Sequence, residues 1–263
     1  MAGQPAQYYP PQLPLEMQNL ASMYQLGNPM AEYRGGFTGR AIAAIIVAAI
    51  LVVFFGLFWI GSAANGDPAS SVIFAIFTLL SLAFLAWMII SPLQSNSWRV
   101  YVFNQGFVFF KGGQPDIFRW ADIRAIWQRV TSYYRYGIRT RTTHKYTIER
   151  ADGHRIVLND RIKNVEELGN GLSRQISEFM LPHMIAAYNA GNVITFGPLS
   201  VSQQGVSNGR EMLPWPSIKE IGVNRGIVSV RREGKWLNWS TVAVANIPNF
   251  AVFMALTRYI LGR

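Results

Sequence analysis

The sequence predicts an α+β protein: a hairpin of two membrane-spanning helices, then two small antiparallel β units, each closed by a C-terminal helix. Three observations carry that prediction. Two long uncharged apolar runs stand early in the chain, short alternating strands begin at Arg99, and one series of landmarks occurs twice in the same order.

Composition agrees with a chain partly in lipid. Of 263 residues, 50% are hydrophobic and only 14% charged, against about 25% charged in ordinary soluble domains. There is no cysteine, which excludes disulfides, thiolate metal sites, iron–sulfur clusters and a thiol nucleophile. The net charge of +10 is unevenly spread. Before residue 93 only Arg34 and Arg40 oppose Glu16, Glu32 and Asp67, which leaves 22 basic and 11 acidic residues beyond it. A basic domain of this kind meets anionic partners, either membrane surface or nucleic acid.

Residues 1–36 form a tail rich in Pro, Gln and Tyr and nearly free of charge. Pro10-Pro11 and Pro14 favour extended polyproline II backbone, and little here could form a core, so the expectation is disorder. A Pro/Tyr docking segment for a partner is the alternative.

Residues 37–92 hold the two spans. The runs "AIAAIIVAAILVVFFGLFWIGSAAN" (41–65) and "SVIFAIFTLLSLAFLAWMIISP" (71–92) contain no charge, and about 20 apolar residues suffice to cross ~30 Å of hydrocarbon. The Ser and Thr hydroxyls of the second run can bond back to helix carbonyls. The short connection includes "NGDPAS" and no Lys or Arg, whereas Arg34, Arg40 and Arg99 flank the outer ends. The positive-inside rule then places both termini in the cytoplasm, with Trp59 and Trp87 as interfacial anchors of a two-span inner or plasma membrane protein. A cleaved signal peptide is disfavoured, because the first span begins about 40 residues in and no basic region precedes it at the chain start.

From Arg99 onward one unit is written twice, over residues 93–190 and 191–263. "WADIRAI" places Trp120, Ile123, Arg124 and Ile126; "WPSIKEI" places Trp215, Ile218, Lys219 and Ile221 at the same spacing. Asp152-Gly153 and Glu233-Gly234 follow as hairpin turns. "NVEEL" at Asn164 and "NIPNF" at Asn246 then open amphipathic helices, with Asn as cap and Pro248 in a first turn. The offsets of these two landmarks are 81 and 82 residues. The helices carry Val165, Leu168, Leu172, Ile176 and Phe179 in the first copy, and Phe250, Phe253, Leu256 and Ile260 in the second. Such stripes are core positions packed on a sheet. Pro182 is expected to kink or end the first helix.

Strands followed by one capping helix, twice over, resemble the bacterial pleckstrin-homology-like (PH-like) domains. The first copy carries the resemblance in "VYVFNQGFVFFKGG", "FRWADIRAIW", the Asp152-Gly153 turn and the helix from Val165. The second carries it in "VITFGPLSVSQQGV", "LPWPSIKEIGV", the Glu233-Gly234 turn and the helix from Ile247. The whole chain resembles an uncharacterised bacterial membrane-protein family with two transmembrane helices ahead of tandem PH-like domains. The resemblance implies a small antiparallel β-sandwich or barrel of seven strands per copy, of which five or six are legible. It also implies binding of lipid head groups or proteins, without naming a ligand.

No catalytic or cofactor motif is legible. His144, His154 and His183 are not at metal-ligand spacing, and there is no HExxH, GxSxG or P-loop. "GNG" at residues 169–171 lacks the context of a dinucleotide turn. The expectation is a protein that is not an enzyme and has no cofactor and no metal. His144 belongs to a strand, His154 to a hairpin and His183 to a helix end.

The distinctive stretch is "YYRYGIRTRTTHKYTIER", residues 133–150. From Ile126 to Asp152 the first copy uses 26 residues where Ile221 to Glu233 takes 12, so about 14 extra residues fall here. Read at period two, Arg135, Arg139, Arg141 and Lys145 share one face, and Arg129 extends it across a turn near Tyr136-Gly137. These five residues are the candidate contact for anionic lipid head groups or an acidic protein partner, with the bilayer itself holding the spans. The sequence thus predicts a membrane-anchored interaction or sensor module. A membrane-tethered nucleic-acid-binding protein is the alternative, since Arg and Tyr interleaved on a strand can meet phosphates and stack bases. Nucleic acid is disfavoured because anionic lipid lies closer. Self-association is left open.

Overall fold

The computed structural model describes residues 13–36, 39–95, 97–136 and 138–262. The two apolar runs form α2 (Gly39–Ala64) and α3 (Pro68–Ser95), joined by a three-residue turn, after α1 (Leu15–Met23) and β1 (Pro29–Arg34). Both are long and apolar enough to cross a membrane: Ile42–Ala64 has a mean hydropathy of 2.9 and Pro68–Ile90 of 2.6. Only 6% of each span's most apolar window is buried in the protein, so their apolar sides face outward. Between the helices Phe55 stacks on Phe77, and Phe58 meets Phe74 at a tilt, each at 5.3 Å. The hydroxyls of Thr78 and Ser81 donate to the carbonyls of Phe74 and Phe77, both at 2.8 Å. At the turn Asp67 Oδ1 accepts the backbone N–H groups of Ala69 and Ser70, which caps α3.

The first β unit is a four-stranded sheet, order β1-β2-β3-β4, and a three-stranded sheet, order β5-β6-β7. Its further strands are β2 (Arg99–Phe103), β3 (Gly106–Lys111), β4 (Gln114–Arg119), β5 (Ile123–Arg135), β6 (Ile138–Arg150) and β7 (Arg155–Asn159), and α4 (Val165–Asn189) follows. Val100, Val102, Phe107, Phe109 and Phe118 of the first sheet meet Tyr146, Ile148, Ile156 and Leu158 of the second, and Leu168, Leu172 and Ile176 of α4 close the core.

Two expectations fail in this unit. Disorder was expected through residue 36, yet residues 13–36 are structured; the remainder of that tail, residues 1–12, lies outside the described residues. β1 pairs antiparallel with β2, from Pro29 opposite Phe103 to Arg34 opposite Arg99. α1 lays Met17 and Ala21 over Tyr101, Phe103 and Val108 on the sheet's other face. The physical reason is that β2 and β3 are apolar at both parities, so the sheet must be covered on both faces. The hairpin α2–α3 is therefore inserted between two hydrogen-bonded strands. The unit does not begin after the two apolar helices; its first strand precedes them.

The second unit has sheet order β11-β10-β9-β8 and a sheet β12-β13-β14. The strands are β8 (Ile194–Phe196), β9 (Leu199–Ser202), β10 (Gly205–Ser207), β11 (Met212–Pro214), β12 (Ile218–Asn224), β13 (Ile227–Arg232) and β14 (Asn238–Ala243), before α5 (Phe250–Leu261). Each unit turns from its first sheet to its second through a 3-10 turn that opens on a tryptophan, Trp120–Asp122 and Trp215–Ser217. The indole N–H groups donate to the Asn104 and Ser202 carbonyls at 2.8 and 2.9 Å.

α4 runs through Pro182 as one helix, so His183 lies inside it rather than at its end. Its N-terminal half packs in the first core, and Leu181, Met184, Ile185 and Tyr188 pack against the second. The Asn caps differ from expectation too. Neither Asn164 nor Asn249 makes a side-chain cap hydrogen bond, and α5 starts after Asn249, not Asn246.

Gly169 of α4 lies against the ring of buried Tyr146, which a Cβ would overlap, whereas nothing stands within 4 Å of one added at Gly171. Burial, then the carboxylates of Glu166 and Asp160, push the Tyr146 hydroxyl up to about 12. Gly169→Ala should destabilise the protein by ~1–3 kcal/mol through overpacking. Gly171→Ala should stabilise it by ~0.5–1 kcal/mol. Denaturant unfolding of the two variants checks the pair.

Candidate functional site

The sequence-predicted cations lie on the hairpin of β5 and β6, each 13 residues long, where the matching β12 and β13 have 7 and 6. Residues 133–150 are therefore not one strand but the end of β5, a turn and β6; Gly137 of that turn lies outside the described residues. Arg129 is opposite Lys145, Tyr133 opposite Arg141, Tyr134 opposite Arg139, and Arg135 opposite Ile138.

The register shifts between Tyr133 and Tyr134, leaving Thr140 as the extra residue of a bulge. An extra residue reverses the alternation beyond it. Arg129, Arg141 and Lys145 thus share the outer face of the β5-β6-β7 sheet, and Arg139 falls on the opposite face with Tyr134. Arg135 sits at the tip, its guanidinium 5.6 Å from the ring centre of Tyr136. The groove gathers three of the five predicted residues; Arg135 keeps their face but lies beyond the groove at the tip, and Arg139 alone changes face.

The three line a groove of about 530 Å³ with Tyr133, Asn159 and Arg161. The acid in it, Asp160, accepts the His144 backbone N–H at 3.1 Å and stands 3.5 Å from its imidazole, whose other nitrogen is 3.4 Å from Glu166. Arg129 and Lys145 also wall a smaller cleft of about 160 Å³ with Trp127, Arg155 and Ala245 of the second unit. Arg155 is held there by buried Glu149 at 2.5 Å and lies 5.5 Å from the Trp127 ring centre.

The groove adjoins the root of the α2–α3 hairpin. The Gly36 N–H donates to the Arg161 carbonyl at 3.2 Å, Lys163 N–H to the Arg34 carbonyl at 3.0 Å, and Gly35 N–H to the Trp98 carbonyl at 2.7 Å. Gly35 also bridges Ile162. Lys111 and Arg161 each place a cation 5.5 Å from the ring centre of buried Trp98. Arg34 forks onto Glu32 at 2.6 and 2.9 Å, and that hydrogen bonding holds the Glu32 carboxyl below its ordinary range. Sequence reasoning missed Lys111, Arg161 and Lys163 at this root. "NDRIKN" directly after a strand was the available signal, but only the β1–β2 pairing places it beside the root of α2 and α3.

The second unit grips the first through Asn249. Its backbone N–H donates to the Ile126 carbonyl at 2.8 Å, its Oδ1 accepts the Ile126 N–H at 2.9 Å, and its Nδ2 donates to the Arg124 carbonyl at 3.0 Å. The side chain is buried, with both its polar atoms bonded to β5.

The architecture and the site define an α+β protein with two helices long and apolar enough to cross a membrane, followed by antiparallel sheets and bearing a cationic groove where the helices leave the first sheet. The chain belongs to a family of unknown function, DUF6585, whose profile matches residues 4–262. A comparison with curated proteins found no match.

Asn249→Ala should leave the Ile126 N–H and the Arg124 carbonyl without partners and cost ~1–3 kcal/mol. Faster amide hydrogen exchange at Ile126 than in the parent protein is the direct readout.

Proposed function

We propose that this protein is a membrane-anchored, non-enzymatic interaction module whose first β unit is held with its cationic groove against the anionic lipid of the inner leaflet. Each unit, in this reading, is PH-like: what supports it is the four-plus-three strand arrangement, the tryptophan turn and the closing helix present in both. The hairpin crosses the bilayer with its root, and both termini, on the cytoplasmic side. Supporting that orientation, Arg34, Arg99, Lys111, Arg161 and Lys163 lie at the root, while the far turn has Asp67 and no cation.

One observation carries the lipid contact: Arg161 lines the groove and, through its carbonyl and its ring contact with Trp98, also belongs to the root of the spans. Lipid head groups are therefore the nearest anions outside the protein to Arg129, Arg141 and Lys145. Each such cation near an anionic leaflet contributes roughly 1 kcal/mol, falling off within a Debye length. That is weak for a free domain and enough for one already anchored.

The full-length protein in nanodiscs of uncharged and of anionic phospholipid tests this by hydrogen exchange. Amides of the β5–β6 hairpin should be better protected in anionic discs, less so at high salt, and the gain should vanish in R129E/R141E/K145E. Equal protection in both lipids would remove lipid as the anion and leave an acidic protein surface as the groove's occupant.

A further inference from the structure

Beyond Lys145 and Asn159, which stand abreast, β6 pairs only with β5, for six residue pairs from Val130 opposite His144 to Arg135 opposite Ile138. At about 3.3 Å per residue this two-stranded arm reaches ~20 Å past the body of the sheet. A lone two-stranded ribbon is marginally stable in water, and this one turns its largest side chains outward. Tyr133, Tyr134, Tyr136 and Ile138 are 51%, 66%, 91% and 71% exposed.

The arm leaves the unit at the same end as the apolar hairpin. The chain passes from Asn159, at the base of the arm, to Ile162, which bridges Gly35, and α2 begins at Gly39. Tyrosine is the residue type that prefers the membrane–water interface, where its ring is in apolar surroundings and its hydroxyl is wet. Arg135 over Tyr136 and Arg139 opposite Tyr134 set cations beside these rings.

We infer that the tip of the β5–β6 arm is a second membrane anchor, seating Tyr133, Tyr134, Tyr136 and Ile138 in the interfacial layer of the bilayer that α2 and α3 cross. This rests on the hairpin spanning a membrane, but not on lipid charge: the groove holds anionic head groups, and the tip partitions by apolar burial. Spans and tip together fix the domain's rotation about the bilayer normal. Trp236 and Leu237, the exposed pair at the β13–β14 turn, have no such link to the root of the hairpin.

The chain has no cysteine, so single substitutions give unique spin-label sites in the full-length protein. Tyr136→Cys and Tyr134→Cys, labelled and reconstituted in uncharged phosphatidylcholine bilayers, should collide more with dissolved oxygen than with an aqueous nickel chelate. That order should persist at high salt and in the R129E/R141E/K145E background. Nickel collisions dominating at both tip sites would overturn the inference, as would strong coupling between labels showing that the tip packs on a second copy. A label at Leu80→Cys, midway along α3, separates the two readings. If Leu80 is oxygen-rich and the tip aqueous, the spans stand and the tip anchor falls; if Leu80 is itself aqueous, the spanning reading falls.

Discussion

The hydrogen-bonded pairing of β1 with β2 is the constraint on which the rest depends. These strands are neighbours in one sheet, yet the whole apolar hairpin lies between them. An insertion between paired strands is anchored at both ends, because its roots are the last rungs of the ladder. Here Gly35 and Gly36 are further tied to Trp98 and Arg161 by backbone hydrogen bonds. Four residues separate β1 from α2 and three separate α3 from β2, so each helix lies within ~15 Å of chain from the ladder. The hairpin therefore emerges at one edge of the first sheet, beside the ends of β1 and β2.

Further ties run through the chain. α4 leaves the first core and enters the second without a break at Pro182. Proline removes one helix hydrogen bond and crowds the preceding turn, but apolar burial on both sides of it retains the helix. Asn249 adds a second tie, through its backbone N–H and both polar atoms of its side chain, to the backbone of β5. Since β5 continues into the arm, the second unit braces the strand whose far half carries the exposed tyrosines. The proposed membrane contacts of the first unit and the position of the second are in this way mechanically linked.

Much of this was legible in the sequence. The two apolar helices announce themselves by length and lack of charge, and the matching Trp-x-x-Ile segments each open a 3-10 turn. The extra 14 residues do lengthen one hairpin. What was hidden is non-local or sits at an irregularity. "PMAEYR" reads as part of a polar tail because its partner strand is on the far side of the hairpin; the clue was "VYVFNQGFVFF", apolar at both parities and so in need of two covers. Arg139 was assigned to the cationic face by strict alternation, and a single bulge at Thr140 moves it. Arg161 looked like an ordinary loop cation until the bridge from Gly35 to Ile162 placed it at the hairpin root.

The most direct measurement compares two soluble chains: residues 13–36 joined by a short Gly-Ser turn to residues 97–263, and residues 97–263 alone. If the hairpin is an insertion between paired strands, the first chain unfolds cooperatively with slowly exchanging β2 amides. The second then loses that protection along with the cooperativity of its first unit. Equal β2 protection and equal stability in the two chains would contradict the account.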